Sequence, residues 1–374
     1  MTTTPFDSLV GQPLVSQFLS SAIESRLVNH AYLFVGPTGT GKNEAARLLS
    51  RALVCKQGGC GACDECIRTM RGTHPDVKVI DPEGAHGYLT EQIHQLIHDT
   101  NLAPIRAQSK VYILTRADLL WGAPANAFLK TLEEPPSRVV FILLARTRDS
   151  VLETVSSRCQ IIAFKPISET EAIQILIKDG KVTPKDVRIA LASTGGSVYR
   201  AREFLGSSGR RDARIKVLET IERLVDLDPL DILESTRDLL IALKQPLDEV
   251  KLEQERQLAE GKEYLSKGAL TALEQRHKRA LTNRERETMS EALHVMRSWL
   301  RDCLLMQIDL ENDIVNTGFH HNIQKVALSS DEAAIVRSIR AVDEAEQRIN
   351  YNVSVQSIIE ALFFTLRDEL NNCR

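Results

Sequence analysis

The chain has 374 residues, of which 43% are hydrophobic and 26% charged, which suffices for two or three globular domains of ordinary size. Its formal net charge of −3 provides no overall basic field, which argues against a free-standing DNA-binding protein. The longest strongly apolar run, residues 139–145, is far shorter than a membrane span, and residues 1–11 lack the pattern of a secretion signal. We therefore expect a cytosolic protein in which any contact with nucleic acid is local or made through partner subunits.

Five β-rich segments alternate with helix-like stretches in the first half of the chain. They span residues 31–36, 77–81, 110–115, 138–145 and 160–164. Most are continuously hydrophobic, which is typical of strands that are covered on both faces. Their separations fit crossover helices, so the pattern predicts a parallel sheet with helices on both sides.

The first predicted strand leads into GPTGTGKNEA, residues 36–45, which has the spacing of a phosphate-binding loop. The candidate nucleotide-binding residues of this loop are Gly36, Gly39, Gly41, Lys42 and Asn43. In a working loop the backbone N–H groups surround the phosphates, the lysine reaches the outer phosphates, and a hydroxyl after the lysine binds Mg²⁺. Asn43 stands in the place of that hydroxyl and is a poor substitute for it, so the loop is degenerate.

The acidic residues that complete a hydrolytic site are also missing. An acidic pair should follow a later buried strand, where one carboxylate binds magnesium and its neighbour activates water. The strand at 110–115 ends instead in Thr115 and Arg116, and Asp118 lies two or three residues beyond it. The two losses predict that this chain does not hydrolyse ATP. Nucleotide binding without turnover stays open, as does a loop retained because the strand-to-helix turn needs its glycines.

Four of the seven cysteines lie within the segment CKQGGCGACDEC. They are Cys55, Cys60, Cys63 and Cys66. Two C-x-x-C steps share one cysteine, and the Gly58-Gly59 bend lets the first thiol complete a tetrahedron, so the spacing predicts structural Zn²⁺ with no open coordination position. An iron–sulfur cluster and a redox dithiol are the competing interpretations.

From about residue 167 the pattern becomes helical. A capping box at Ser168 and an N-cap at Thr183 followed by proline predict two helix starts. We predict three domains: a P-loop domain at 1–166 with the zinc module at 55–66, a helical lid at 167–206, and an all-α domain at 207–374.

Residues 244–287 contain ten basic and nine acidic side chains. A segment with both signs interspersed is typical of a solvated helical pair. A partner surface at this segment stays open as the alternative.

Several motifs, taken in chain order, carry a family resemblance. They are FDSLVGQ (6–12), HAYLFVGPTGTGK (30–42), the four-cysteine segment, APANAFLKTLEEPP (123–136) and SSRC (156–159). In this order they resemble the bacterial replicative clamp loader, an AAA+ family. The similarity covers essentially the whole chain and is weakest at 207–290.

The resemblance implies a RecA-like AAA+ domain with a zinc module, a helical lid and an all-α collar that holds an oligomer together. It also implies gamma/tau and delta clamp-loader subunits as partners, with the sliding clamp and primed DNA contacted mainly through the complex. The loss of both magnesium-binding elements resembles the loss seen in one subunit of this family. That subunit supports ATP-driven clamp loading without hydrolysing ATP itself.

The resemblance also assigns a role to Arg158. In the family, the arginine of the Ser-Arg-Cys motif reaches the ATP site of the neighbouring subunit as an arginine finger, for which a permanently charged, planar guanidinium is suited. A further departure lies in GGSVYRA, where Tyr199 occupies the place of the family's second-sensor arginine and Arg200 follows it.

Two rival functions stay open from the sequence. The first is an active gamma/tau-type clamp-loader ATPase, in which Asn43 would have to bind Mg²⁺. The second is a zinc-stabilised AAA+ scaffold or DNA-binding adaptor outside replication, against which the mild acidity of the chain argues.

Overall fold

The computed structural model describes residues 4–84, 87–178, 182–261, 267–349 and 354–371. The chain forms two compact units. The α/β unit comprises Met1–Ile175 with Ser197–Tyr199, and the helical unit comprises Leu176–Gly196 with Arg200–Arg374. The predicted division into three domains remains a prediction. Within the described ranges, every helix is too short or too polar to cross a membrane.

The α/β unit is built on one parallel sheet of five strands, in the order β2-β3-β4-β1-β5. The strands are β1 (Ala31–Val35), β2 (Val77–Ile80), β3 (Lys110–Leu114), β4 (Val139–Ala145) and β5 (Gln160–Ala163). Each lies within one residue of its predicted bounds, so the predicted RecA-like sheet is confirmed. The central strands are continuously buried and the edge strands are partly exposed, as their hydrophobicity indicates.

Helices pack on both faces of the sheet, and further helices form the helical unit. Among the described residues they are α1 (Pro13–Glu24), α2 (Lys42–Val54), α3 (Asp64–Met70), α4 (Thr90–Thr100), α5 (Gly122–Glu133), α6 (Glu153–Ser156), α7 (Glu169–Lys178), α8 (Pro184–Ser193), α9 (Val198–Gly206), α10 (Ser208–Arg223), α11 (Pro229–Gly261), α12 (Lys267–Gln307), α13 (His320–Ser329), α14 (Glu332–Ile349) and α15 (Val355–Asn371). The predicted start of α8 is confirmed, because Thr183 caps it with a reciprocal capping box.

Alternate side chains of β1 fill two separate cores. Tyr32 and Phe34 pack with Leu49 of α2 on one face, whereas Leu33 packs with Phe128 of α5 on the other. This follows from the two-residue period of a strand, which directs successive side chains to opposite faces. Both faces are apolar because both are covered by helices.

The helical unit has one continuous core formed by α10–α15, in which Trp299, Leu300 and Phe363 are fully buried. Helices α11 and α12 contact each other, which confirms the helical pair predicted at 244–287 for the part that is described. Asp302 is fully buried and accepts hydrogen bonds from the backbone N–H of Asn316 at 2.8 Å and from its side-chain amide at 2.8 Å. This unit has the helical character that the collar interpretation requires.

Candidate functional site

The phosphate-binding loop lies at the carboxyl end of β1, directly before the N-terminus of α2. Its first glycine, Gly36, has a φ of +155° and donates its N–H to the carbonyl of Arg146 at 3.1 Å. A Cβ at Gly36 would stand 2.6 Å from the carbonyl oxygen of Phe164, so only glycine fits there. Strand, glycine turn and helix thus occur where the sequence predicts them. The loop lies at the carboxyl ends of the parallel strands, where α/β proteins bind ligands.

Lys42 is folded back onto its own loop. Its Nζ donates to the carbonyl oxygens of Gly36 and Pro37, the second at 2.6 Å. Burial, assisted by the positive charge of Arg146, lowers the pKa of Lys42 to about 8. Sequence analysis missed Arg146, which follows β4 without any local motif. Two cations, Lys42 of the loop and Arg146 after β4, thus lie near each other. Of these, Lys42 is already hydrogen-bonded to the protein.

Gln12 joins the N-terminal segment to the loop. Its side chain is buried, and its Nε2 donates to the carbonyl oxygens of Thr40 at 3.2 Å and Lys165 at 2.7 Å. Its Oε1 accepts from the backbone N–H of Lys165 at 3.1 Å. Sequence analysis quoted this residue within a motif without assigning it a contact. Its partner lies 153 residues away, so no local pattern could have identified it.

Tyr199 and Ser197 lie against two glycines of the loop. A Cβ at Gly41 would be 2.9 Å from the Tyr199 ring, and a Cβ at Gly39 would be 2.9 Å from Ser197 Cα. The Tyr199 hydroxyl accepts the backbone N–H of Val10 at 2.9 Å. A neutral tyrosine, in the place where the family resemblance expects an arginine, therefore contacts the start of α2.

The side chains at the end of β3 are hydrogen-bonded within the protein. Thr115 donates its hydroxyl to Asp81 at 2.5 Å, and the Arg116 guanidinium pairs with Asp118 at 3.0 Å. Asp81 follows β2, the strand next to β3, and sequence analysis did not consider it. The residue at the strand end is threonine, and the nearby carboxylate of Asp118 is paired with an arginine.

The four predicted cysteine ligands come together. All four sulfurs lie within 4.8 Å of one another, and Cys55 Sγ is 3.7 Å from the sulfurs of both Cys60 and Cys63. Cys66 Sγ lies 3.9 Å from that of Cys60. A tetrahedron with metal–sulfur bonds of about 2.3 Å has edges of about 3.8 Å, so the cluster could hold a metal ion.

Backbone N–H groups point at these sulfurs. Gln57 N–H donates to Cys55 at 3.4 Å, and Gly61 N–H donates to Cys66 at 3.3 Å. Burial acts to raise the pKa of Cys55, but backbone hydrogen bonds outweigh it and lower that pKa to about 6. Burial raises the pKa of Cys66. Backbone N–H groups thus favour a thiolate at Cys55, whereas burial disfavours one at Cys66.

An ion-pair network joins the cysteine module to the loop before β3. Arg106 Nη2 lies 2.8 Å from Asp64 and 2.9 Å from Glu65, both in the first turn of α3. His74 Nε2 lies 2.6 Å from Glu65. Asp76 is buried and accepts three consecutive backbone N–H groups of residues 105–107 at 2.7 to 2.8 Å. Ion pairs, in addition to the continuous chain, therefore connect the cysteine module to the loop before β3.

Arg158 lies between the end of α6 and the start of β5. Its Nη2 pairs with a carboxylate oxygen of Glu133, and its Nη1 donates to the carbonyl of Thr154 at 2.7 Å. Its side chain is 33% exposed. Glu133 lies within the segment at 123–136, which sequence analysis used only as a family motif.

Comparison with known proteins supports a common ancestry over nearly the whole length. Residues 11–168 match the family described as DNA polymerase III, delta subunit. The chain is 28% identical over 361 residues to the DNA polymerase III subunit delta′ of Bacillus subtilis, and the match covers 96% of each chain. The chain is delta′-like: it is similar along nearly its whole length to the delta′ subunit of a bacterial DNA polymerase III.

Two further proteins are similar to this delta′-like chain. It is 34% identical over 164 residues to the gamma/tau subunit of Mycobacterium tuberculosis, a match that covers 43% of this chain and 28% of that subunit. A solved gamma subunit-related protein from Thermotoga maritima is 16% identical with a TM-score of 0.40, covering 94% of this chain and 99% of that protein.

Proposed function

We propose that this chain is a delta′-type clamp-loader subunit that does not hydrolyse ATP and that donates Arg158 to the ATP site of a neighbouring gamma/tau subunit. Its partners are then gamma/tau and delta subunits in the cytoplasm, and it reaches the sliding clamp and primed DNA mainly through the complex. The proposal depends above all on one contrast. The chain retains a part-exposed Arg158, yet Asn43 and Thr115 stand where magnesium ligands are required.

The contacts of the loop support the absence of hydrolysis. Lys42 donates to two carbonyl oxygens of the loop, and Tyr199 covers Gly41. A nucleotide would have to displace the first contact and fit beside the second. Nucleotide binding is therefore weak in this proposal, and turnover is absent.

We further propose Zn²⁺ as the ion of the four-cysteine cluster. Four thiolates leave no position for water, so the ion stabilises the module and takes no part in catalysis. The sulfur spacing fits this donor set.

The test is Arg158→Ala in a complex reconstituted from this chain with gamma/tau and delta subunits. We expect normal assembly and a fall of about 10³-fold or more in hydrolysis at the neighbouring site, the range known for fingers supplied in trans. Lys42→Ala is the matched control and should be nearly silent. Unchanged ATPase and clamp-loading rates in Arg158→Ala would contradict the proposal.

The gamma/tau-type ATPase is the second candidate, because a gamma/tau relative is 34% identical to this chain over 164 residues. It predicts phosphate release by the isolated chain in the presence of Mg²⁺ and DNA. The adaptor hypothesis predicts salt-dependent DNA binding by the isolated chain and no co-purification with delta and gamma/tau. We expect neither result.

A further inference from the structure

Glu133 is the last residue of α5, and its carboxylate meets the guanidinium of Arg158 from a second element of the fold. Glu134 ends the helix by donating its N–H to the carbonyl of Lys130 at 3.0 Å. Two prolines follow and prevent the helix from continuing. The backbone of Glu133 is therefore held in place independently of Arg158.

The charge of Glu133 is unfavourable for the helix that bears it. The C-terminus of a helix carries partial negative charge from its unpaired carbonyl groups, which favours cations in the last turn and disfavours carboxylates. Glu133 lies in that last turn and is half-exposed. Helix stability gives no reason for this residue, whereas its contact with Arg158 does.

The guanidinium of Arg158 is held from several sides. Nη1 donates to the Thr154 carbonyl at 2.7 Å and to the Ser157 hydroxyl at 3.4 Å, while Nη2 donates to Glu133. The Nε atom is buried and has no hydrogen-bond partner among the described residues. These contacts engage both N–H groups of Nη1 and one of the two on Nη2. One N–H of Nη2 is therefore left for a phosphate oxygen, on a guanidinium group that is part-exposed and held in one orientation.

We propose that Glu133 is a positioning residue that holds Arg158 in the orientation needed at the neighbouring subunit's ATP site. This inference rests on the proposed function of Arg158. An arginine side chain loses considerable rotamer freedom when it is fixed, and a contact that fixes it beforehand removes that cost from the transition state. Glu133 then acts on the rate of the chemical step and not on the binding of ATP.

The test is a double-mutant cycle in the reconstituted complex. Glu133→Ala should lower kcat about 10-fold with KM for ATP unchanged, which is the signature of an interaction needed in the transition state. Glu133→Gln, which keeps an acceptor oxygen, should retain most of the rate. In the Arg158→Ala background, Glu133→Ala should cause no further loss, because the residue acts only through the arginine. Glu134→Gln is the matched control and should be silent.

The outcomes separate this inference from the proposed function. If Arg158→Ala lowers the rate and Glu133→Ala leaves it unchanged or raises it, the positioning role is wrong and the finger stands. An equal loss from Glu133→Ala in both backgrounds also overturns the inference, since it indicates general damage to the fold. If Arg158→Ala has no effect, both ideas are wrong. Should Glu133→Ala fail to assemble, Glu133→Asp in the same cycle with Arg158→Ala decides, because its carboxylate is one methylene shorter and should hold Arg158 less well: coupling of the two losses supports the inference, and additivity or an unchanged rate overturns it.

Discussion

The Tyr199 hydroxyl accepts a hydrogen bond from the backbone N–H of Val10 at 2.9 Å, across 189 residues of sequence. The same ring lies against Gly41, immediately before α2. The N-terminal segment and the phosphate-binding loop are thus joined through one side chain.

Tyr199→Phe tests the effect of that bond. The substitution leaves the Val10 N–H without its partner, so we expect the free energy of unfolding of the α/β unit to fall by about 1 kcal/mol in urea titrations. Amide hydrogen exchange should become faster in residues 9–12 and 36–43. Tyr32→Phe removes a hydroxyl that accepts from the Asn29 N–H at 3.0 Å and serves as the control. Equal exchange at the loop in both variants would contradict the link.

Lys42 should make stability depend on pH in the alkaline range. Its pKa in the folded chain is about 8, below the unfolded value of about 10.4, so the unfolded chain binds more protons at this site between those values. The contribution of Lys42 to stability therefore increases as pH rises from about 8 to about 10. Lys42→Met should abolish this increase in urea titrations. Arg146→Gln should reduce it, because it removes the second cause of the shift. Identical pH profiles for wild type and Lys42→Met would disprove the assignment.

Metal removal should destabilise the cysteine module. We expect about one Zn²⁺ per chain by elemental analysis, and a strong chelator should lower the melting temperature of the α/β unit, because the ion binds only the folded cluster. Cys63→Ser should purify without metal and with the same lowered melting temperature. Cys159→Ser, which changes a cysteine outside the cluster, should retain the ion. Iron in place of zinc, together with visible absorbance, would show that the four cysteines hold an iron–sulfur cluster and not Zn²⁺.

Asp76 should stabilise the loop before β3 through its charge. Burial acts to raise its pKa, but the three backbone N–H groups of residues 105–107 outweigh it and hold the pKa of Asp76 below its usual range. A lowered pKa contributes stability above the unfolded value of about 3.9, and the contribution is lost as pH falls through the folded value.

We expect Asp76→Asn to cost about 2 kcal/mol or more at pH 7, measured by urea unfolding, because hydrogen bonds to a charged acceptor are strong. The difference from wild type should shrink as the pH falls below the unfolded pKa of about 3.9 and through the lower pKa of the folded chain. Asp149→Asn, at an exposed position, should cost almost nothing. A pH-independent loss in Asp76→Asn would show that the charge is not the cause.

Local patterns in the sequence were sufficient to predict a large part of the fold of the α/β unit. Five strands, the glycine loop and the cysteine cluster were predicted within one residue or in full, because each is encoded by neighbours in sequence. A buried parallel strand is a continuous apolar run, and four thiols within twelve residues can meet with little help from the rest of the fold.

Only the tertiary structure decided which distant groups complete those elements. Tyr199 reaches Val10, Gln12 reaches Lys165, and Glu133 reaches Arg158 across 25 residues. Such contacts leave no periodicity in the sequence, because each is a single polar pair brought together by sheet order and helix ends. The sequence showed that Arg158 and Lys42 were present, and the fold alone showed that a carboxylate holds the first and loop carbonyls hold the second.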